Sequence, residues 1–265
     1  MKRSRDILIV EDEPVIAGAV SRIFSAEGMT VDAAAQGNEA LTMLDRADYR
    51  LIICDIMMPD VDGFRFLAEL GRRGVCVPVV MATGYATVEN AVRSLTCGAS
   101  DFIAKPFTAD ELLAVARRAL KYGELQRQAV AAGRRDTMAF VPCPPKYYRL
   151  GYVSWMKADD SGIVTVGLND LFLKTLEGIE SIELSPANDE LVQGCCCAAI
   201  TTASGDRHGV LSPVSGRILD VNAAVKKDPA AAEKDPYFDG WLYRVAPADL
   251  SSDLRNLTPC SSDRM

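Results

Sequence analysis

The sequence predicts an α/β domain with a doubly wound, five-stranded parallel sheet, followed by a mostly-β domain built as a sandwich or barrel. Short apolar runs alternate with stretches of helical periodicity over residues 1–122, which is the pattern of repeated βα units. Helical periodicity is lost after residue 142, where short β-rich runs are broken by turn residues. A length of 265 residues also favours two domains over one.

Five short runs mark the predicted strands of the first domain. Their continuous apolar character is typical of strands that helices cover on both faces, and right-handed crossovers connect such strands. In chain order the runs are Ile7–Val10, Met29–Ala33, Leu51–Cys54, Val77–Met81 and Ser100–Ile103.

Local signals place a helix after each of these strands. Pro14 suits the first turn of a helix, and Thr87 suits the N-cap of a helix that continues through Leu95. Thr108 and Glu111 have the spacing of a capping box at the start of the last helix. Residues 39–47 and 63–70 complete the set with apolar stripes at helical spacing.

Polar side chains stand at the carboxyl ends of four of these strands. Glu11 and Asp12 follow the first strand, Asp55 the third, Thr83 the fourth and Lys105 the fifth. The carboxyl ends of parallel strands form one crevice, where ligands bind. Clustered acids need a cation, and oxygen ligands favour Mg²⁺ or Mn²⁺. The lysine and the hydroxyl suit phosphoryl oxygens, so the pattern predicts a carboxylate that accepts a phosphoryl group.

The same residues carry a resemblance to a known family. Residues 5–121 resemble the receiver domain of two-component response regulators. The matching motifs are Glu11-Asp12-Glu13, the run from Asp55 through Met57, Met58 and Pro59 to Gly63, Ala82-Thr83-Gly84 and Lys105-Pro106-Phe107. The resemblance implies a flavodoxin-like sheet of order 2-1-3-4-5. It also implies that a histidine kinase or phosphotransfer protein is the partner that supplies the phosphoryl group to Asp55.

The resemblance also implies a role for each residue. Asp55 is expected to be the nucleophile, and Asp12, Asp55 and the Met57 carbonyl to bind Mg²⁺ directly, with Glu11 acting through water. Lys105 is expected to pair with Asp55, and its bond to Pro106 to be cis. Thr83 and Phe102 are expected to form the switch, with Phe102 in place of the tyrosine that many relatives carry. Met57 and Met58 either shield the phosphoryl group or pack as a lid.

A polar, alanine-rich segment joins the two predicted domains at residues 123–141. Loose helical spacing indicates that the last helix of the first domain continues past Lys121, and Gly133, Pro142, Pro144 and Pro145 would stop it. The extension either pairs with a second copy as a homodimer or is a solvated linker, because its apolar stripe is thin.

The second domain is predicted to span residues 142–258, with a tail at 259–265. Residues 162–167, 179–184 and 217–221 read as strands, and residues 169–176 as the one clear helix. Three motifs resemble those of the glycine cleavage system H protein. They are Val164-Thr165-Val166-Gly167-Leu168-Asn169, Ser212-Pro213-Val214-Ser215-Gly216, and Asp235-Pro236-Tyr237 with Gly240-Trp241-Leu242. This resemblance implies a lipoyl-carrier fold.

In that family a lysine at a hairpin tip carries lipoate, about eight residues before the Pro-Val-Ser-Gly turn. Here Ser204 or Gly205 occupies that place, and the nearest lysines are Lys174 and Lys226. Because amide attachment needs a primary amine, no lipoate is expected. The domain is interpreted as a carrier fold that binds a protein partner through a polar tip, and Lys226-Lys227 as a solvated loop pair.

Cys195-Cys196-Cys197 is an unusual run, and a metal or redox role is weighed against inert packing. In a strand, Cys195 and Cys197 would share one face. The triplet lacks the paired spacing of zinc sites, and His208 is the only histidine. Inert packing is therefore favoured for the triplet. All eight cysteines are expected to be thiols, mostly packed as small hydrophobes, and not disulfides.

Charge and hydropathy limit the location and the partners. The net charge is −7, with −3 over residues 1–122 and −5 over residues 142–265, so direct DNA binding is disfavoured. The apolar runs are too short for a membrane span or a signal-peptide core. A cytoplasmic protein is expected.

The leading interpretation is a response regulator that signals through an H protein-like domain to a protein partner. It is not expected to be an enzyme beyond its own phosphorylation and dephosphorylation. The alternatives are a carrier protein under phosphorylation control and a transcriptional regulator that acts through a partner.

Overall fold

The computed structural model describes residues 3–59, 62–84, 87–132 and 140–261. The chain divides into two compact units, one within residues 1–87 and 97–126 and the other within residues 88–96 and 127–265. Asp60 and Val61 of the motif that begins at Asp55, residues 133–139 of the predicted linker and residues 262–265 of the predicted tail lie outside the described residues. The predicted domain limits therefore remain a prediction.

The first unit is built on a five-stranded sheet of order β2-β1-β3-β4-β5, and its strand pairs are parallel. This is the predicted doubly wound sheet, and each predicted strand is present with shifted ends. The strands are β1 (Arg3–Val10), β2 (Val31–Ala34), β3 (Ala47–Asp55), β4 (Val79–Thr83) and β5 (Asp101–Ala104).

A helix follows each strand in the sequence. The helices are α1 (Pro14–Ala26), α2 (Gly37–Arg46), α3 (Gly63–Arg72), α4 (Val88–Thr96) and α5 (Ala109–Ala132). The capping box of α5 is confirmed, because the backbone N–H of Thr108 donates to Glu111 at 2.8 Å and that of Glu111 donates to Thr108 at 3.2 Å. Helix α5 continues past Lys121, as its spacing predicts.

Two apolar cores explain why the central strands have no polar alternation. Leu8 and Val10 of β1 lie in a core formed with α2 and α3. Ile7 and Ile9 point to the opposite face, into a core formed with α1 and α5. Because successive side chains of a strand point to opposite faces, a strand covered on both faces must be apolar throughout. This packing holds the carboxyl end of β1 beside that of β3.

The second unit is mostly β, as predicted. A seven-stranded sheet has the order β10-β13-β14-β8-β7-β6-β15, a three-stranded sheet has the order β12-β11-β9, and the strand pairs of both are antiparallel. The strands are β6 (Tyr148–Leu150), β7 (Ser154–Ala158), β8 (Val164–Leu168), β9 (Ile179–Leu184), β10 (Glu190–Leu191), β11 (Cys196–Thr202), β12 (Arg207–Leu211), β13 (Gly216–Val221), β14 (Tyr243–Pro247) and β15 (Thr258–Pro259).

The helical content of this unit exceeds the prediction of one clear helix. The predicted helix is present as α6 (Asp170–Leu173), and three more are α7 (Ala223–Lys227), α8 (Ala230–Lys234) and α9 (Leu250–Leu254). Lys226 and Lys227 are exposed, but they end α7 instead of lying in a loop. Periodicity missed these helices because each has five residues, which is little more than one turn.

The Pro-Val-Ser-Gly turn is fixed by a buried polar network. Asp253 in α9 accepts from the backbone N–H of Ser215 at 2.7 Å and from its hydroxyl at 3.2 Å. Gln193 donates to the carbonyls of Pro213 and Asp253, each at 2.9 Å. Gly216 has a φ of +150°, and a Cβ there would overlap the carbonyl oxygen of Ala246. The Pro-Val-Ser-Gly motif thus has a structural role in this unit, because its buried polar groups are hydrogen-bonded.

Candidate functional site

The predicted site residues lie at the carboxyl edge of the parallel sheet. Glu11 and Asp12 directly follow β1, whereas Asp55 and Thr83 are the last residues of β3 and β4, and Lys105 directly follows β5. Strand β1 has β2 on one side and β3 on the other. The site therefore lies where the order of strands reverses, which is the usual position of a ligand crevice in an open α/β sheet.

Three carboxylates converge at this edge. One oxygen each of Glu11, Asp12 and Asp55 lies within 4.8 Å of the others, and within the described residues these form the only cluster of this kind that could hold a metal ion. Lys105 Nζ lies 2.6 Å from Asp55 Oδ2 and 2.5 Å from Glu11 Oε2. The ammonium group thus offsets part of the negative charge of the cluster.

Burial and neighbouring charges shift the pKa values of Glu11 and Lys105 in this cluster. Glu11 and Asp55 are each 6% exposed. Burial raises the pKa of Glu11 above its ordinary value, although its hydrogen bond to Lys105 opposes the rise. Burial by itself would lower the pKa of Lys105, but the hydrogen bonds to Asp55 and Glu11 and the negative charges of these two acids together outweigh that effect and raise the pKa. The lysine is therefore a cation near neutral pH.

Backbone contacts hold the Asp55 side chain in place. The N–H of Met57 donates to Asp55 Oδ1 at 3.0 Å, so one carboxylate oxygen faces the backbone and the other faces Lys105. Helix α3 begins close behind, because the N–H of Gly63 donates to the Ile56 carbonyl at 2.9 Å. A Cβ at Gly63 would overlap the carbonyl oxygen of Asp55. Met57 itself is 54% exposed at the rim, whereas Met58 is buried.

Thr83 and Phe102 occupy neighbouring strands beside the acids. Thr83 is fully buried, and its carbonyl accepts the backbone N–H of Lys105 at 2.8 Å. The Lys105–Pro106 peptide bond is cis. Phe102 is partly buried and packs against the core on the α2 and α3 side of the sheet.

The donor set fits a hard divalent cation. The three side chains offer carboxylate oxygens only, and oxygen ligands favour Mg²⁺ over softer metals. With three acids and one lysine, the cluster has formal negative charge to spare for a cation. A carboxylate beside a cationic amine also suits transfer of an anionic group, because the amine can neutralise charge on the oxygens of that group.

Sequence reasoning named the residues of this edge but missed two of its contacts. The direct ion pair between Lys105 and Glu11 was not predicted, because the family resemblance assigns Lys105 to Asp55 alone. The Met57 N–H was also missed, since only its carbonyl was considered. The Glu11-Asp12 doublet was the available signal for the first contact, because a lysine facing two acids binds both when they lie within reach.

The second candidate site is the hairpin of β11 and β12. The two strands pair from Cys196 to Thr201, and the tip contains Ser204 and Gly205, both exposed. The tip is ordered by its own polar groups, since Gly205 N–H donates to the Thr202 carbonyl at 2.8 Å and Ser204 Oγ donates to Asp206 at 3.2 Å. Residues 175–225 contain no lysine. The tip thus presents hydroxyl and carboxylate groups without an amine.

The cysteine triplet begins this hairpin. Cys195 precedes β11, Cys196 is exposed and Cys197 is buried. Burial raises the pKa of the Cys197 thiol, which disfavours the reactive thiolate. Among the residues that the structure describes, the triplet and His208 form no metal-binding cluster.

Two family models match separate parts of the chain. The family model described as "Response regulator receiver domain" matches residues 7–117. The family model described as "Glycine cleavage H-protein" matches residues 146–261. In the described part of the chain, no helix combines the length and the apolar character that a membrane crossing needs.

Curated relatives match the first part of the chain. "Transcriptional regulatory protein TcrA" of Mycobacterium tuberculosis is 40% identical over 121 residues, which is 46% of this chain and 48% of that protein. "Regulatory protein AtoC" of Escherichia coli is 36% identical over 122 residues, which is 46% of this chain and 26% of that protein. The chain spans about half the length, or less, of the curated relatives it matches.

Solved structures resemble each part separately. The receiver domain of NtrX from Brucella abortus is 42% identical, with 43% of this chain and 98% of that chain covered and a TM-score of 0.41. A glycine cleavage system H protein from Mycobacterium marinum is 25% identical, with 42% of this chain and 95% of that chain covered and a TM-score of 0.38.

Proposed function

We propose that this protein is a response regulator of a two-component phosphorelay that signals through its H protein-like domain. The proposal is supported by the receiver-domain model that matches residues 7–117 and by the glycine cleavage H-protein model that matches residues 146–261. A histidine kinase or a phosphotransfer protein supplies the phosphoryl group. The observation that carries the proposal is the contact of 2.6 Å between Lys105 and Asp55 within a buried acidic cluster.

Asp55 is the phosphoryl acceptor in this proposal. One of its carboxylate oxygens attacks the phosphorus of the donor phosphohistidine, the phosphorus–nitrogen bond breaks, and the electron pair leaves on the histidine nitrogen. The product is an acyl phosphate on Asp55. Lys105 then binds an oxygen of the transferred group, and the Thr83 hydroxyl donates to another.

A divalent cation, Mg²⁺ or Mn²⁺, is the proposed cofactor. Asp12, Asp55 and the carbonyl of Met57 would hold it, and Glu11 would act through a water molecule. When bound, the cation neutralises charge on the transferring group. The cluster of three acids supports this assignment.

Thr83 and Phe102 form the proposed switch. When Thr83 turns toward the phosphoryl group, it leaves space beside β5, and Phe102 turns inward to fill it. The partial burial of Phe102 in this structure supports the role, because a half-packed ring gains contacts on moving inward. The side chain has no hydroxyl group, so packing alone carries the change.

The output is proposed to be binding of a protein partner by the second domain. In this proposal, Ser204 and Gly205 of the hairpin tip stand in place of the lysine of the carrier family. A tip without an amine cannot hold lipoate through an amide, and residues 175–225 contain no lysine. The names of the relatives, which are transcriptional regulatory proteins, favour a partner that acts on transcription. A carrier function under phosphorylation control is the second candidate, and it requires a modified residue.

Phosphorylation is tested with acetyl phosphate and Mg²⁺, read as the intact mass of the full chain. Wild type is expected to gain one phosphoryl group, and Asp55→Asn none. Asp48→Asn is the matched control, because Asp48 is an exposed acid on the same strand. Equal labelling of wild type and Asp55→Asn would reject Asp55 as the acceptor.

The output is tested by a pull-down in which beryllofluoride mimics the acyl phosphate. A partner that is retained differently with and without beryllofluoride supports signalling through protein binding. The intact mass after expression in a lipoylating host separates the second candidate, since an added lipoyl group would favour the carrier function.

A further inference from the structure

Two buried cysteines face each other in the second unit, although they are far apart in the sequence. Cys143 precedes β6 and Cys260 follows β15, and their Sγ atoms lie 2.8 Å apart. Cys143 is 8% exposed and Cys260 is 1% exposed. The sequence predicts thiols and no disulfides, and a separation of 117 residues gives no local signal that two of the cysteines meet.

The backbone around both cysteines is held by regular hydrogen bonds. Strand β15 pairs with β6, which sets Pro259 opposite Tyr148. The N–H of Cys260 donates to the carbonyl of Tyr147 at 2.9 Å, and the N–H of Tyr147 donates to the carbonyl of Pro144 at 3.0 Å. The sulfur contact therefore follows from sheet pairing, and folding of this unit brings the two thiols together.

An aromatic cluster surrounds the two thiols. The cluster consists of Cys143, Tyr147, Trp155, Tyr237 and Cys260, and Trp241 packs against it. The rings of Tyr147 and Trp155 lie 4.9 Å apart between centroids. Such packing fixes side-chain positions, so the sulfurs have little freedom to move apart.

We propose that Cys143 and Cys260 form a reversible disulfide bond that joins the segment before β6 to the segment after β15 in the second unit. A sulfur–sulfur bond of about 2.05 Å needs only a small adjustment of two side chains that already touch. Disulfides of intracellular proteins are usually transient and respond to redox conditions. The inference is independent of phosphorylation at Asp55.

The oxidant in this proposal is a small-molecule disulfide such as oxidised glutathione. The thiolate of Cys143, the more exposed of the two, attacks the glutathione disulfide, and one glutathione leaves as a thiolate. Cys260 then attacks the mixed disulfide at Cys143 and releases the second glutathione. Two protein thiols are oxidised to one disulfide, and one glutathione disulfide is reduced to two thiols.

The test equilibrates the full chain with graded mixtures of reduced and oxidised glutathione. One arm starts from folded protein, and the other refolds from urea in the same mixtures, so every thiol is accessible at its start. Samples are quenched with acid, alkylated and digested. The expected product is a cross-linked peptide pair that contains Cys143 and Cys260, formed in the refolding arm and reversed by dithiothreitol.

Tryptophan fluorescence provides a second readout. Trp155 and Trp241 are the only tryptophans, and both contact this cluster, so their signal follows its unfolding. Oxidation is expected to raise Tm by on the order of 10 °C, because the bond closes a long loop. Cys143→Ala and Cys260→Ser should each abolish the rise, whereas Cys76→Ser, which changes an exposed cysteine, should retain it.

Two outcomes would overturn the proposal. One is recovery of Cys143 and Cys260 as alkylated thiols from the refolding arm at the most oxidising mixture. The other is a dominant disulfide that includes Cys195, Cys196 or Cys197 in place of this pair.

Discussion

A single lysine contacts two of the three acids at the sheet edge. Lys105 Nζ is within 2.6 Å of Asp55 and within 2.5 Å of Glu11, and its side chain is 11% exposed. Removal of one partner from such a buried set leaves charge without compensation. A divalent cation bound by these acids would neutralise the same carboxylates as the lysine, so the two positive charges would repel each other and compete for the acids.

This competition leads to the first prediction. Lys105→Met should bind Mg²⁺ more tightly than wild type, on the order of tenfold, because it removes a positive charge from beside the acids. Titration of Mg²⁺ followed by the shift in Tm provides the measurement. Lys121→Met is the matched control, since Lys121 is an exposed lysine on α5. Weaker Mg²⁺ binding in Lys105→Met would contradict the proposed cation site.

Gly63 gives the second prediction at this scale. Gly63→Ala should lower the free energy of unfolding by about 1–3 kcal/mol, because the new Cβ overlaps backbone atoms at Asp55 and Ile56. It should also slow phosphorylation by acetyl phosphate. Urea denaturation and the intact-mass assay provide the measurements. Gly71→Ala lies on the same helix with open space around the new Cβ, and it should be neutral or stabilising.

At the scale of elements, regular pairing positions groups that are distant in sequence. Strands β1, β3, β4 and β5 align their carboxyl ends because all four are parallel neighbours. In the second unit, helix α9 positions the turn at Ser215, because Asp253 accepts hydrogen bonds from both the backbone N–H and the hydroxyl of Ser215. A helix of five residues is too short to be stable alone, so its attachment to the turn is part of what maintains it.

Asp253 leads to a prediction about pH. Burial raises the pKa of Asp253 above its ordinary value of 3.8, although hydrogen bonds from Ser215 oppose the rise. The folded state therefore holds this proton more tightly than the unfolded state. As pH falls from 7 through the raised pKa toward 3.8, wild type should gain stability relative to Asp253→Asn, by about 1.4 kcal/mol for each unit of pKa shift.

Urea denaturation of both proteins across this pH range gives the difference in free energy of unfolding. Asp239→Asn serves as control, because Asp239 is an exposed acid in the same unit. A difference between wild type and Asp253→Asn that stays flat with pH would show that Asp253 does not bind a proton preferentially in the folded state.

At the scale of the whole molecule, charge distinguishes between the possible outputs. The net charge is −7, and neither predicted domain is basic. Binding to nucleic acid depends on lysine and arginine groups that neutralise phosphates. The charge thus gives no support to direct contact with nucleic acid as the output.

The corresponding prediction concerns DNA. Fluorescence anisotropy with duplex DNA should detect only binding weaker than about 100 µM at physiological salt, both with and without beryllofluoride. Repeating the titration at low salt provides the control, because any electrostatic contact strengthens as salt is removed. Sequence-selective binding whose affinity falls steeply with salt would restore direct contact with DNA as the output.

Much of the first unit could be predicted from the sequence because its signals are local. Each signal involves only a short stretch of neighbouring residues. The signals are the apolar runs, the capping box at Thr108 and the acid or lysine that follows a strand. The short helices α7, α8 and α9 were missed because one turn has no period to detect. The cysteine triplet is recognisable because its three cysteines are consecutive, whereas the residues next to Cys143 and Cys260 give no sign that these two cysteines meet.

The sequence by itself determined the two fold classes, the order of the strands' polar ends and the identity of the acids, the threonine and the lysine. Tertiary structure alone decided that Lys105 binds Glu11 as well as Asp55, that Asp253 anchors the turn at Ser215, and that Cys143 meets Cys260. The reason is physical. Periodicity and capping act between neighbours in the chain. These contacts join residues 38 to 117 positions apart, and they exist only once sheet pairing and core packing have brought the segments that carry them together.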